Sequence, residues 1–168
     1  DDLPVQKGDI YNAFDLDDER DMISEHLKNN GYFYFTKDYI FMEIDTNFMD
    51  HKASVNIRID NVLDPTTQKM VDHKRYIINN IYIYPKGISN DKELDTVPFT
   101  FDLGKRLGKE TCYFVYSGIP KIRFRTFDNM IHIHSGTPYS LSNVTQTYKS
   151  LNNLKIYNKN NIEFHNIG

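Results

Sequence analysis

The chain has 168 residues, room for one ordinary domain or two small ones. Its formal net charge of −3 gives no indication of a nucleic-acid partner or an anionic membrane surface. The single cysteine, Cys112, excludes an intrachain disulfide, and no apolar run approaches the roughly 20 residues that a membrane helix needs. The 12 tyrosines and 11 phenylalanines favour β-strands.

The first predicted element is an amphipathic helix over about residues 16–30. Asp15 is the candidate N-cap, and Gly31 can adopt the left-handed conformation that often ends a helix. The apolar stripe of this helix consists of Leu16, Ile23 and Leu27.

Two strands are predicted next, and their alternating side chains indicate a hairpin. The first strand covers Tyr39–Ile44, and the second covers Val55–Ile59. The polar stretch 45–52 is the predicted connection. We expect Val55, Ile57 and Ile59 to be buried, because they alternate with polar residues.

The middle of the chain is less regular. Residues 61–74 show no periodicity and are predicted to be a linker. Arg75–Pro85 is strand-like, with Ile77, Ile81 and Ile83 on one face. The stretch 86–110 is long for a connection, so we expect it to contain an excursion or a hairpin.

A second helix is predicted over about Ser142–Leu154. Asn143 and Gln146 have the spacing of a weak capping box. A strand is expected to follow it over Ile156–Phe164. Shorter strand candidates precede the helix at Tyr113–Tyr116, Lys121–Arg125 and Met130–His134.

The two halves of the chain share a repeated motif. Gly8 and Tyr11 open the first copy, and Gly136 and Tyr139 open the second. In each copy a short polar stretch, an amphipathic helix, an aromatic-x-Lys turn and a strand follow in the same order. Because one such unit buries little apolar surface, tandem units are expected.

At these positions the chain resembles the polypeptide-transport-associated (POTRA) modules of BamA/TamA-type outer-membrane proteins, particularly the Bacteroidetes-like branch. The matching residues of the first half are Gly8, Tyr11, Glu19, Arg20, Ile23, Leu27, Gly31, Tyr32, Phe35, Ile40, Asp45 and Thr46. Those of the second half are Gly136, Tyr139, Thr147, Tyr148, Leu151, Leu154, Ile162 and Phe164.

The resemblance implies an α+β fold of tandem β-α-α-β-β modules, elongated, with helices on one face of a three-stranded mixed sheet. The first module would cover residues 1–74, with only a stub at Leu3–Gln6 for its opening strand and a linker at 61–74. The second would cover 75–168, with an insertion at about 86–118 and without its last strand; a start near Lys121 is the alternative.

The function implied by the resemblance is non-catalytic. A periplasmic module would capture client strands by β-augmentation at a sheet edge, without a cofactor. Its partners would be unfolded outer-membrane protein clients, other periplasmic assembly factors, adjacent modules and a C-terminal barrel in the same chain. The edge maps to Tyr39, Ile40, Phe41, Met42, Glu43 and Ile44, with Ile156–Phe164 as a partial second copy.

Clustered aromatic residues suggest a second contact surface. Tyr32, Phe33 and Tyr34 form either an apolar docking surface or part of the core and of a junction between modules. An adhesin or ligand-binding module with tyrosine-rich contacts is one alternative function.

A metal-dependent hydrolase is the other alternative. His132 and His134 would share one face of a strand, with His165 as a remote third ligand, but an ordinary polar face is the expectation and no metal site is predicted. The acidic residues from Asp15 to Asp21 lack the calcium-loop spacing and suit a helix start. Cys112 is expected to be a buried structural thiol.

Overall fold

The computed structural model describes residues 5–47, 51–85, 93–103, 108–119, 123–155 and 160–167. The chain divides into two compact units, Asp1–Tyr76 and Ile77–Gly168. Helices and small sheets occur together, so the predicted α+β class is confirmed. The β-α-α-β-β order is not found within the described part of either unit.

Over its described residues, the first unit contains one long helix and two small antiparallel sheets. Helix α1 is followed by the pair β1–β2 and then by the pair β3–β4. The bounds are Ala13–Asn29 for α1, Ile40–Asn47 for β1, Lys52–Ile59 for β2, Val62–Leu63 for β3 and Met70–Val71 for β4. A single 3-10 turn, Lys37–Tyr39, leads into β1.

Helix α1 begins three residues earlier than predicted, because Asn12 and not Asp15 is its N-cap. Asn12 has an extended backbone, and its side-chain oxygen accepts a hydrogen bond from the Phe14 N–H at 3.1 Å. Asp15 lies in the first turn instead, where the helix dipole favours a carboxylate. Gly31 follows the helix with a φ of +104°, as predicted.

The segment 61–74 is not a linker, because it folds as the β3–β4 hairpin. The Asp64 carboxylate accepts hydrogen bonds from the N–H groups of Thr66 at 2.7 Å and Thr67 at 3.1 Å. These two bonds lower the pKa of Asp64. The Asp64 side chain therefore closes a turn that the pattern of apolar residues does not reveal.

The second unit is built around a three-stranded mixed sheet. Its strands are β5 (Tyr82–Ile83), β6 (Asp95–Asp102) and β7 (Lys109–Tyr116), and its helix is α2 (Leu141–Asn153). β7 lies in the middle, parallel to β5 and antiparallel to β6. The expected insertion at 86–118 therefore supplies two of the three strands. Of the two structures predicted for residues 86–110, an excursion or a hairpin, the hairpin is found, as the pair β6–β7.

The core of the second unit is aromatic. Phe114 of β7 is fully buried and stacks on Phe124, with 4.0 Å between ring centroids. Phe101, Cys112 and Phe127 are buried with Phe114. The partly buried residues around them are Ile81, Ile83, Phe99, Leu103, Tyr116, Phe124, Ile131 and Leu151.

Several predicted strands of the second unit are wrong. Arg75–Pro85 forms only the two-residue β5 and an isolated bridge from Ile77 to Pro138. Residues 124–127 form a 3-10 turn, and residues 130–134 and 160–164 contain no strand. Residues 121–122 and 156–159 lie outside the described part of the chain.

Helix α2 matches its predicted position but not its predicted cap. Ser140 is the N-cap, and its hydroxyl accepts a hydrogen bond from the Asn143 N–H at 3.4 Å. Asn143 is therefore already inside the helix, so it does not form the capping box expected with Gln146.

Candidate functional site

The hairpin β1–β2 has one apolar and one polar face. Directly opposed residues lie on the same side of an antiparallel pair, and the register is continuous from Ile40↔Ile59 to Asn47↔Lys52. The apolar face consists of Ile40, Met42, Ile44, Val55, Ile57 and Ile59. The polar face carries Phe41, Glu43, Asp45, Ser54, Asn56 and Arg58.

The apolar face is only partly covered, since Ile40 is buried and Met42 and Val55 are half-buried. Ile40 is 1% exposed, whereas Ile57 is 50% and Ile59 is 45% exposed. The prediction that Val55, Ile57 and Ile59 are buried is therefore wrong: Val55 is half-buried and the other two are exposed. Contiguous exposed apolar side chains of this kind are typical of a contact surface.

One hydrogen bond determines which way the backbone groups of β1 point. The Asp60 N–H donates to the Tyr39 carbonyl at 2.9 Å, so Tyr39 faces the neighbouring strand. Because backbone direction alternates in an antiparallel pair, Phe41, Glu43 and Asp45 face β2. Met42, Ile44 and Thr46 then direct their N–H and C=O groups to the free edge.

The edge is usable only beyond Ile40. The Ile40 carbonyl accepts a hydrogen bond from Arg20 Nε of α1 at 3.1 Å. Tyr39 belongs to the 3-10 turn, and its ring contacts His73 with 4.6 Å between centroids. Of the six predicted edge residues, Tyr39 and Ile40 are thus held inside the unit, while Met42 and Ile44 remain accessible.

Two cations, whose contacts the sequence analysis did not predict, fix the start of β1. Arg20 Nη2 donates to the Lys37 carbonyl at 2.9 Å. Lys37 Nζ forms ion pairs with Asp21 at 3.0 Å and Asp17 at 3.3 Å. Hydrogen bonds from Lys37 to Asp21 and then Asp17 raise the pKa of Lys37. The acidic start of α1 is therefore tied to the turn that leads into β1.

Arg58 organises the polar face. Its guanidinium bonds to Glu43 at 2.7 Å and to Asp60 at 2.8 Å, and it lies 5.1 Å from the centroid of the Phe41 ring. The hydrogen bond to Asp60 is the main cause that raises the pKa of Arg58. Arg58 therefore holds Phe41 and Glu43 in place on the polar face.

The residues of the predicted aromatic docking surface differ in their exposure to solvent. Phe33 contacts Tyr34 with 4.7 Å between ring centroids, and both contact Tyr76, at 6.4 Å and 5.4 Å respectively. Tyr32 and Phe33 are half-buried, whereas Tyr34 is 61% exposed. Tyr32 and Phe33 are therefore partly packed within the unit, and Tyr34 presents most of its surface to solvent.

The repeat is visible around the start of each helix. Gly8 and Gly136 both have positive φ, +105° and +75°, and each lies four residues before an N-cap. The residues eight positions after each glycine, Leu16 and Val144, are both buried. Tyr11 and Tyr139 differ, since Tyr11 is 55% exposed and Tyr139 only 6%.

The predicted strand after the helix is found in the first copy as β1. In the second copy residues 160–164 do not form a strand. That segment does not provide a second edge over its described residues.

His132 and His134 of the second unit both lie beside polar protein groups. His132 Nε2 is 3.0 Å from Ser150 Oγ, and the His132 N–H donates to Thr147 Oγ1 at 3.0 Å. His134 Nδ1 is 3.7 Å from a Glu110 carboxylate oxygen. Burial, followed by the charge of His134, lowers the pKa of His132.

No group of three or more metal-binding side chains occurs in the part of the chain that the structure describes. Cys112 is fully buried, and burial followed by the Glu110 charge raises its pKa to about 12. A thiol in this environment is a poor nucleophile.

No described helix is both long enough and apolar enough to span a membrane. No family model, curated protein or solved structure matches the chain.

Proposed function

We propose that this chain is a non-catalytic polypeptide-binding module that takes up an extended client segment along the free edge of β1. The observation that carries the proposal is the edge itself: Met42, Ile44 and Thr46 present their backbone groups beside an exposed apolar face. Backbone pairing requires little of the client sequence, which suits a receptor for varied polypeptides.

Natural proteins usually protect such edges. Proline and β-bulges are common means of protection, yet β1 contains no proline and its register runs without interruption. Within the described residues, β2 is the only strand paired with β1. The edge therefore has the chemical properties that a client strand needs.

The biological setting of the proposal rests on the sequence resemblance. A POTRA-like module would lie in the periplasm, as part of an outer-membrane protein that assembles or translocates β-barrel proteins. Its clients would be unfolded outer-membrane proteins. Three of the matching residues support this setting by what they do in the structure. Gly8 and Gly31 have positive φ before and after α1, and Arg20 connects α1 to the start of β1.

Paired proline variants test the site. A fluorescent nine-residue peptide alternating valine and serine is titrated against the full chain, and anisotropy is measured. Met42→Pro removes an N–H that points to the free edge and should weaken binding about five-fold or more. Ile57→Pro removes the corresponding N–H on the outer side of β2 and should change binding less than about two-fold.

Both variants are checked by circular dichroism for retained folding. Phe41→Pro serves a different purpose: its N–H faces β2, so this change should lower stability. As a second readout, a photoreactive residue at position 43 should crosslink to an unfolded outer-membrane barrel protein. If Ile57→Pro weakens peptide binding as much as Met42→Pro, the β1 edge is not the binding site.

A further inference from the structure

The free edge of β1 carries acidic side chains at alternate positions. Glu43 and Asp45 are exposed on the polar face, whereas Met42 and Ile44 lie on the apolar face. Any strand that pairs with this edge brings its own side chains to within about 4.5–5.5 Å of these residues, measured between Cβ atoms. The occupant must therefore match an alternating apolar and acidic pattern.

The negative charge at the edge is only partly compensated. Glu43 is paired with Arg58, but Arg58 lies on β2, away from the free edge, and also binds Asp60. Asp45 lies opposite the neutral Ser54 and forms no ion pair with any residue that the structure describes. A cationic side chain on an incoming strand would find both carboxylates exposed.

A second copy of the chain fits this edge poorly in the two-fold pairings centred on residues 42–45. In a two-fold antiparallel pairing centred on Ile44, each Glu43 would lie opposite the Asp45 of the other copy. Centring on Glu43 or Asp45 would place that residue opposite itself. Like charges in directly opposed positions destabilise a sheet. Centring on Met42 would require the Ile40 carbonyl, which already accepts a hydrogen bond from Arg20.

We infer that the preferred occupant of the β1 edge is a basic amphipathic strand, in which apolar residues alternate with lysine or arginine. The inference rests on the proposed function, because it specifies the client of the same edge. Apolar side chains of the client would extend the face of Met42 and Ile44. Its cations would lie beside Glu43 and Asp45 and would add charge pairing to the backbone hydrogen bonds.

The test uses three matched nine-residue peptides in which valine alternates with lysine, serine or glutamate. Anisotropy titrations with the full chain at low salt should rank the peptides in that order. Two cross-strand charge pairs that change from attractive to repulsive predict an affinity ratio between the lysine and glutamate peptides on the order of ten-fold or more. Added salt should reduce this ratio.

Isosteric variants locate the charge effect. The double variant Glu43→Gln/Asp45→Asn should bring the lysine-to-glutamate ratio close to one. The control Asp18→Asn/Glu25→Gln makes the same change in net charge at exposed positions on α1 and should keep the ratio. If the control variant removes the ratio as fully as the edge variant, the preference comes from net charge and the inference is wrong.

Failure of the inference can be distinguished from failure of the proposed function. If the serine peptide binds and Met42→Pro weakens it, but the lysine and glutamate peptides bind equally, the edge is used without a charge preference and only the inference fails. If Met42→Pro affects none of the three peptides, the proposed function fails as well. Sedimentation showing self-association that Met42→Pro abolishes would make a second copy the occupant and overturn the inference.

Discussion

Replacing Gly31 by alanine tests the contact between the end of α1 and the end of the first unit. Gly31 has a φ of +104°, and its carbonyl accepts a hydrogen bond from the Tyr76 N–H at 2.8 Å. A Cβ at this position would lie 2.6 Å from Arg75 Cγ and 3.2 Å from the Tyr76 carbonyl oxygen. The Arg75 side chain, which donates to the Asn30 carbonyl at 2.7 Å, would have to move.

The expected cost follows from three contributions. Backbone strain at positive φ amounts to about 1–3 kcal/mol. Displacing Arg75 sacrifices a hydrogen bond that contributes about 1 kcal/mol. The lower entropy of an unfolded chain with alanine offsets less than about 1 kcal/mol. Gly31→Ala should therefore reduce the free energy of unfolding by about 1–4 kcal/mol.

Gly8→Ala provides a matched control, since Gly8 has nearly the same φ, +105°, but nothing within 4 Å of the added Cβ. Urea unfolding followed by circular dichroism should show a smaller loss for Gly8→Ala. Hydrogen exchange at the Tyr76 amide should accelerate only in Gly31→Ala. Equal losses in the two variants, with unchanged exchange at Tyr76, would refute the argument from close packing.

Three further predictions follow from burial. Phe114→Ala should cost about 3–5 kcal/mol in urea unfolding, whereas Ile57→Ala, at an exposed position, should cost about 1 kcal/mol or less; similar losses would contradict the assigned core. The pKa of His132 is lowered in the folded state, so His132 takes up a proton more readily in the unfolded chain. The free energy of unfolding should therefore fall as pH drops below about 6.5. His132→Gln should reduce this slope, and a variant at exposed His165 should not. Cys112 should resist iodoacetamide at about pH 8 until urea unfolds the chain; rapid labelling of the folded protein would show an accessible thiol.

The helices were predictable because their signals are local. Apolar spacing located α1 and α2, and the errors concern only which polar residue forms the cap. Asn12 and Ser140 each precede the predicted cap by three residues. Several residues near each helix start have side chains that could form the N-cap. The residue that does so is the one whose backbone is extended, and this conformation is not evident from the sequence.

For the hairpin β1–β2, the strand prediction was right about pairing and wrong about burial. Alternation correctly placed Val55, Ile57 and Ile59 on one face, but it does not tell whether anything covers that face. Strand β6 was harder to recognise because it contains Pro98. That proline is tolerated because β6 lies at the edge of its sheet.

The segment around His132 and His134 alternates like a strand but joins no sheet in the described part of the chain. The His132 N–H is bonded to Thr147 and the Ser135 N–H to the Glu110 carboxylate at 3.1 Å. Side chains thus take the place of a neighbouring strand.

For the candidate site, the sequence predicted the position of β1 but not the role of Arg20. The hydrogen bond from Arg20 to the Ile40 carbonyl joins residues 20 positions apart, and local patterns do not reveal such a contact.

The parallel pairing of β5 with β7 has a consequence for synthesis of the chain. β5 emerges from the ribosome before β6 and β7, yet its only paired strand in the described sheet is β7, about thirty residues further along. The β6–β7 hairpin can form from neighbouring residues, whereas docking of β5 must wait for it. During that interval Ile81 and Ile83 remain without their aromatic core, so the nascent second unit exposes apolar side chains that the finished sheet covers.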